Sequence, residues 1–190
     1  RRDERGEGRM SVHKAEAMNV LQSLSNNSVD LVLTDPPYDL NDTTKLAYHT
    51  EFLRVSHGVI VFSPPENQWI QPANQYLFWI KPTSTKNTTK RYSRFVEMIF
   101  LYGKLKWISG GHWSQYTNVF VDLVDREGIH PHRKPPSLIQ RLLANHSEPG
   151  DLILDPFAGS GTVEEACKLM GRRSICSDIN AHANQEEREE

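Results

Sequence analysis

Short apolar runs alternate along the chain with helical stretches, and prolines and glycines punctuate the joins. That is the pattern of an α/β sheet protein. Strands are predicted at Leu31 to Leu33, Val59 to Phe62, Tyr76 to Ile80, Val96 to Tyr102, Asn118 to Val121, Leu152 to Leu154 and Ser174 to Cys176. Helices are expected at Ala15 to Leu24, Leu46 to Val55, Ser137 to Asn145 and Thr162 to Met170. The Thr-, Lys- and Asn-rich stretch Pro82 to Arg94 reads as a loop, and Gly110-Gly111 opens another irregular region. No internal repeat is visible.

At 190 residues with 37% hydrophobic content, the chain suits one compact domain over residues 1–190. No apolar run is long enough to span a bilayer, and Arg1 to Arg9 is a charged stretch with no apolar segment behind it. The expectation is a soluble, cytoplasmic protein without a membrane partner. Cys167 and Cys176 each follow an apolar residue, which suits buried thiols better than a disulfide or zinc site. The histidines lack metal-ligand spacing, so no metal is expected.

A net charge of −2 does not by itself suggest a nucleic-acid partner, but the charge is unevenly spread. Lys81, Lys86, Lys90, Arg91, Arg94, Lys104 and Lys106 fall in one segment against a single acid, Glu97, with Trp79, Tyr92, Tyr102 and Trp107 interleaved or adjacent. Basic groups contact phosphates, and aromatic rings can stack on bases. The alternative is a solvated loop offsetting the acidic tail at Glu186, Glu187, Glu189 and Glu190.

Two motifs carry chemistry. Thr34-Asp35-Pro36-Pro37-Tyr38 follows the apolar run Leu31-Val32-Leu33. The prolines stop the strand and hold the preceding residues extended, so Asp35 and Tyr38 are displayed beyond its carboxyl end, where open α/β sheets bind ligands. A carboxylate and the Pro36 carbonyl can each accept one N–H of an amino group while Tyr38 stacks on the ring bearing it. The second motif, Asp155-Pro156-Phe157-Ala158-Gly159-Ser160-Gly161-Thr162, lies between a strand and a helix. Its glycines permit positive φ and close approach of a cofactor. Thr162 stands where a Walker loop needs Lys, and Glu164 where a dinucleotide fingerprint needs a small residue. Glu164 and Glu165 would repel a pyrophosphate at that helix start. A positively charged cofactor without phosphates, S-adenosylmethionine, fits better. Asp178, ending the next strand, occupies the position that takes ribose hydroxyls in such folds.

Asp35 to Tyr38 and Asp155 to Thr162 resemble motifs IV and I of the amino-group DNA methyltransferases, in the permuted order with the catalytic motif first. His130-Pro131-His132-Arg133-Lys134-Pro135 resembles that family's motif X. The resemblance implies a Rossmann-like methyltransferase fold with a mixed, mostly parallel sheet flanked by helices. It also implies transfer of a methyl group from S-adenosylmethionine to N6 of a flipped-out adenine. Asp35, Pro36, Pro37 and Tyr38 become the catalytic set. Glu16, Asp35, Lys134, Asp155, Phe157, Ala158, Gly159, Ser160, Gly161, Thr162 and Asp178 become the cofactor set, with Glu16 near the adenine and Lys134 toward the methionine end. Lys86, Lys90, Arg91, Arg94, Lys104 and Lys106 are the expected DNA contacts, within a short target-recognition region at about residues 82–129. So short a region implies modest sequence recognition or dependence on a partner subunit, and the resemblance adds a homodimer as an option. Cytosine N4, an RNA adenine, or a non-catalytic nucleic-acid-binding role are the alternatives. Ser63-Pro64-Pro65-Glu66 imitates the cytosine-enzyme motif but lacks its aromatic residue, and is expected to be a turn.

Overall fold

Both faces of the central strands are apolar, and alternate residues divide cleanly between them. Leu31, Leu33, Ile60, Phe62, Ile99, Leu101 and Ile153 face one way. Val32, Val59, Val61, Phe100, Tyr102 and Leu154 face the other. A sheet of this kind must be covered on both sides, and the computed structural model of the chain shows that it is. It describes residues 12–81, 95–108, 116–121 and 133–181.

The elements run β1 (His13–Lys14), α1 (Ala17–Ser23), β2 (Leu31–Thr34), α2 (Asp42–Val55), β3 (Gly58–Ser63), β4 (Gln75–Ile80), β5 (Val96–Gly103), β6 (Val119–Val121), α3 (Pro136–His146), β7 (Leu152–Asp155), α4 (Thr162–Leu169) and β8 (Arg173–Asp178). They form one sheet in the order β1-β8-β7-β2-β3-β5-β4-β6. The block from β1 to β3 is parallel, β5 is antiparallel to both β3 and β4, and β6 is parallel to β4. Helices α1 and α2 pack on one face through Leu21, Tyr48, Phe52 and Val55. Helices α3 and α4 pack on the other through Leu138, Leu142, Val163 and Cys167. Each fully buried side chain of this size contributes about 2 kcal/mol relative to exposure. The mixed, mostly parallel sheet with helices on both faces is the expected architecture.

Adjacent strands β2 and β7 sit where the direction of winding reverses. From β2 the chain crosses through α2 to β3 on one side. From β7 it crosses through α4 to β8 on the other. Right-handed crossovers leaving a strand pair in opposite directions must use opposite faces, and the crevice between their carboxyl ends is where such sheets bind ligands.

All seven expected strands and four expected helices are present, with two differences. β1 is two exposed residues paired to β8 at His13↔Ser177 and Lys14↔Asp178, too short to leave an apolar run. α2 begins at Asp42 rather than Leu46, because Asn41 caps it by accepting the Thr44 N–H at 2.9 Å. Its inward face carries Lys45 and His49, whereas Leu46 and Leu53 are exposed.

Candidate active site

The two motifs, far apart in sequence, are joined directly. β2 pairs with β7 at Leu31↔Ile153 and Val32↔Leu154. At the carboxyl ends of these strands the buried Thr34 Oγ1 donates to Asp155 Oδ1 at 2.7 Å. Asp35 follows immediately, then a buried Pro36 and an exposed Pro37 and Tyr38. A second device steadies this loop. Asn67 Nδ2 donates to the Tyr38 carbonyl, and Asn67 Oδ1 accepts from the ammonium of the buried Lys45. Lys45 Nζ also donates to the Gln68 carbonyl at 3.0 Å, and Ser63 Oγ to the Asn67 carbonyl at 2.7 Å. The second proline pair is thus a strand end followed by a short 3-10 turn, Pro65–Asn67, that braces the first.

Across the crevice, Gly159 and Gly161 adopt φ of 48° and 74°, and Gly161 caps α4. A Cβ added at Gly159 would meet nothing within 4 Å, so the turn presents open backbone. Asp178 secures it: one carboxylate oxygen accepts the Gly159 N–H at 2.9 Å and the other the Asn180 N–H at 2.8 Å. Glu16 caps α1 through the Asn19 N–H at 3.0 Å and accepts from the Tyr48 hydroxyl at 3.1 Å. The Tyr48 ring meets Phe157 edge-on at 5.1 Å.

These residues surround one cavity of about 620 Å³. It is lined by Asp35 to Tyr38 on one side and by Asp155 to Ser160, Thr162, Asp178 and Glu16 on the other. Of the expected catalytic and cofactor residues, Gly161 alone is not in the lining; it serves as the helix cap instead.

Five carboxylates, Glu16, Asp35, Glu97, Asp155 and Asp178, line the cavity with the cations Lys81, Arg133 and Lys134; on the cofactor side Glu16, Asp155 and Asp178 prevail, and α4 begins with Glu164 and Glu165. A cationic ligand without phosphates fits this lining, whereas a pyrophosphate would be repelled. Desolvation pushes the Asp155 carboxyl up to about 7, against the Thr34 and Phe157 hydrogen bonds and with help from Asp35 and Asp178. Desolvation also raises Asp35; Lys134 only partly offsets it, and Glu97 adds to it. Burial would raise Glu16 as well, but the N–H groups of Met18 and Asn19 and the Tyr48 hydroxyl outweigh it and hold that carboxyl low.

Lys134, expected toward the cofactor's methionine end, lines the cavity beside the catalytic loop. Its ammonium pairs with Asp35 Oδ2, reaches the Tyr38 hydroxyl at 3.1 Å and lies 3.2 Å from Glu97 Oε2. Asp35 and Tyr38 take hydrogen bonds from this ammonium, while Glu97 Oε2 faces it as an ion-pair partner without a hydrogen bond. Burial alone would pull Lys134 down, but Asp35 and Glu97 outweigh it and keep it charged. The other Asp35 oxygen, Oδ1, is buried without a hydrogen-bond partner. Such an acceptor is costly to leave unmatched, and it sits on the residue placed to receive an amino group.

The expected DNA contacts divide. Lys86, Lys90, Arg91 and Arg94 lie outside the described residues, as do His130 to His132, but the strands that flank residues 82–94 both meet the cavity end of the sheet. Lys81 follows β4, and β5 begins at Val96 opposite Ile80. Lys104 and Lys106 follow the far end of β5, where Gly103 pairs with Gly58 at the start of β3. There Lys106 donates to Asp151 at 2.7 and 2.9 Å, with Asp30 at 3.7 Å. The structure therefore does not bring Lys104 and Lys106 to the cavity, since antiparallel β5 carries them to the opposite edge. Within the expected target-recognition region, Val96–Gly103 and Val119–Val121 are sheet strands.

Glu97, Trp79, Lys81 and Phe62 also line the cavity and were not singled out as site residues. The signal for Glu97 was its register: it shares a strand face with the core residues Ile99 and Leu101. Cys167 and Cys176 are buried, and burial pushes the Cys167 thiol up to about 12.

A sequence profile described as DNA methylase, for N6 and N4 amino-methyltransferases, matches residues 60–187. The chain belongs to this DNA methylase family. Among its relatives, the type II methyltransferase M.HpaI of Haemophilus parainfluenzae is 24% identical over 216 residues, covering 87% of this chain and 69% of its own. The structure of M1.HpyAVI with S-adenosylmethionine superposes with a TM-score of 0.71 at 22% identity, over 94% of this chain and 98% of that one. The PvuII cytosine-N4-specific DNA methyltransferase gives a TM-score of 0.72 at 15% identity, over 94% and 85%. The family's coarse activity is S-adenosylmethionine-dependent methyl transfer to an amino group of a DNA base. The strand order shows how a permuted chain of this family builds its site: the catalytic strand β2 and the cofactor strand β7 are neighbours whichever comes first.

Proposed function

We propose that the chain methylates the exocyclic N6 of adenine in DNA, with the base turned out of the duplex into the cavity. The observation that carries this reading is the unmatched, buried Asp35 Oδ1, held in the same cavity as the glycine turn. Asp35 in an Asp-Pro-Pro-Tyr sequence favours adenine over the Ser-Pro-Pro-Tyr form common in cytosine-N4 enzymes.

The bound cofactor supplies an electrophilic methyl group on a cationic sulfur, and the chain's own residues do the rest. Turning the base out costs roughly a few kcal/mol, and Tyr38, exposed at the rim, can return about 1–3 kcal/mol by stacking. Asp35 Oδ1 and the Pro36 carbonyl accept the two amino N–H groups, which directs the nitrogen lone pair toward the cofactor side. Lys134 on Oδ2 balances the Asp35 charge without occupying Oδ1. Because the Asp35 carboxyl is raised, Oδ1 is suited to take the proton that the amino nitrogen sheds. Glu16 and Asp178 give the cofactor side its negative wall, and Gly159 gives it open backbone. Residues 82–94, flanked at the cavity edge by Lys81 and Phe95, supply the DNA-backbone contacts through Lys86, Lys90, Arg91 and Arg94.

Cytosine N4 is the second reading, because it too is an amino group beside a ring nitrogen and Oδ1 would serve either base. Incubation with methyl-labelled S-adenosylmethionine and DNA, followed by digestion to nucleosides, separates them. Label in N6-methyladenine supports the proposal. Label only in N4-methylcytosine, or only with RNA, overturns it.

A further inference from the structure

One buried carboxylate has no part in the transfer described above. Glu97 sits on β5 beside core residues, only 7% exposed. Burying a carboxylate is unfavourable unless it is paired, and Glu97 is paired twice. Its Oε1 accepts from Lys81 Nζ, and its Oε2 lies 3.2 Å from Lys134 Nζ. Burial would raise its carboxyl, but Lys134 and Lys81 outweigh that and keep it ionised.

Lys134 reaches this point on a long stem from the segment preceding α3, passing the rings of Phe62 and Trp79 at 5.2 and 5.9 Å. Among the described residues, Asp35 and Glu97 are the two carboxylates within ion-pair distance of the ammonium, so Glu97 is the second charge that fixes where it rests. The four charges Lys81, Glu97, Lys134 and Asp35 alternate in sign and form one continuous chain. One end is the candidate catalytic acid. The other is Lys81, the last described residue before the basic segment 82–94.

We propose that Glu97 is a positioning residue for methyl transfer: it holds the Lys134 ammonium against Asp35 and Tyr38 and, through Lys81, ties the catalytic acid to the strand ends that carry residues 82–94. This rests on Asp35 being the group that receives the target amino nitrogen.

The test compares the full chain with its Glu97→Gln and Lys134→Met variants, each shown by circular dichroism to be folded. It reads kcat against pH, S-adenosylmethionine affinity by calorimetry, and the Asp35 carboxyl titration by carbon-13 NMR without DNA. The charged groups facing Asp35 are Lys134, Glu97, the Tyr38 hydroxyl and Asp155. Glu97→Gln removes a like charge and leaves Lys134 to Asp35, so the Asp35 titration and the acidic limb of kcat should move to lower pH. Lys134→Met removes the counter-charge, and both should move to higher pH. Glu97→Gln should lower kcat about 10- to 100-fold while cofactor affinity stays within about twofold, in the range expected for groups that orient a reacting centre. Glu97→Asp should recover part of the rate.

Shifts in the same direction for both variants, no shift in either, or an equal loss of rate and cofactor affinity in Glu97→Gln would overturn the proposal. Asp35→Ala, run alongside, separates the two layers. If that variant is inactive while Glu97→Gln matches wild type in rate and titration, the positioning role alone fails. If Asp35→Ala keeps wild-type activity, the functional reading beneath it fails.

Discussion

Replacing Asp155 by Asn removes one titration from the centre of the site and should change how stability depends on pH. Asp155 is 3% exposed, and desolvation moves its carboxyl from the ordinary 3.8 up to about 7. Between those values the native state holds a proton that the unfolded chain has released. Stability is therefore fully present below the unfolded value and is lost as pH rises toward the folded one. A displacement of about 3 units at about 1.36 kcal/mol each amounts to roughly 4 kcal/mol. That is a large share of a domain's usual margin of about 5–15 kcal/mol. Both hydrogen bonds to this side chain, from Thr34 Oγ1 at 2.7 Å and the Phe157 N–H at 3.2 Å, end on Oδ1. Asn can keep that acceptor, so the substitution isolates the charge. Urea unfolding of wild type and Asp155→Asn at pH steps from about 4.5 to about 8 measures the effect. His49 and His146, which burial holds below their ordinary value, titrate in both proteins and cancel in the difference. The variant should gain on wild type by roughly 3 kcal/mol across this range, the remainder having been lost below pH about 4.5. A difference that stays constant with pH would refute the assignment of a raised Asp155.

Asp35→Ala should reduce methyl transfer by at least about 100-fold, as loss of a group aimed at the reacting centre does, while calorimetric affinity for S-adenosylmethionine stays near wild type. Transfer at the wild-type rate would remove Asp35 from the mechanism. Asp178→Ala strips the Gly159 and Asn180 N–H groups of their acceptors. At about 1–3 kcal/mol for such a loss, cofactor affinity should fall roughly 5- to 150-fold; unchanged binding by calorimetry would refute it. Lys106→Met should leave the salt dependence of DNA binding unaltered, because Lys106 is held by Asp151 and Asp30 away from the cavity. Lys90→Met should make that slope shallower by about one unit. The reverse pattern in a salt titration would show that the basic segment has been divided wrongly.

The strands were legible because the sheet is buried on both faces, so each appears as a continuous apolar run, and the two motifs were legible because each is contiguous. What escaped was whatever the sheet assembles from separate strands. Trp79 and Glu97 face each other across β4 and β5, a relation no local pattern encodes. Lys45 precedes the helix predicted from Leu46, but capping by Asn41 brings it into that helix, where it is buried and holds Asn67. Lys104 and Lys106 were grouped with the basic loop by counting charge along the chain. β5 runs eight residues, roughly 25 Å at strand rise, so charges flanking its two ends do not meet at the cavity.

The Thr34–Asp155 hydrogen bond spans 121 residues, which gives the site a history as well as a geometry. During synthesis the catalytic loop emerges before β7, and the edge of β2 that β7 will occupy lacks that partner until Leu152 has left the ribosome. Closing so long a loop is slow compared with local helix formation. The catalytic pocket therefore cannot close before the cofactor strand arrives, and until then a nascent chain carries its Asp-Pro-Pro-Tyr sequence without the partner that Thr34 and Asp35 need.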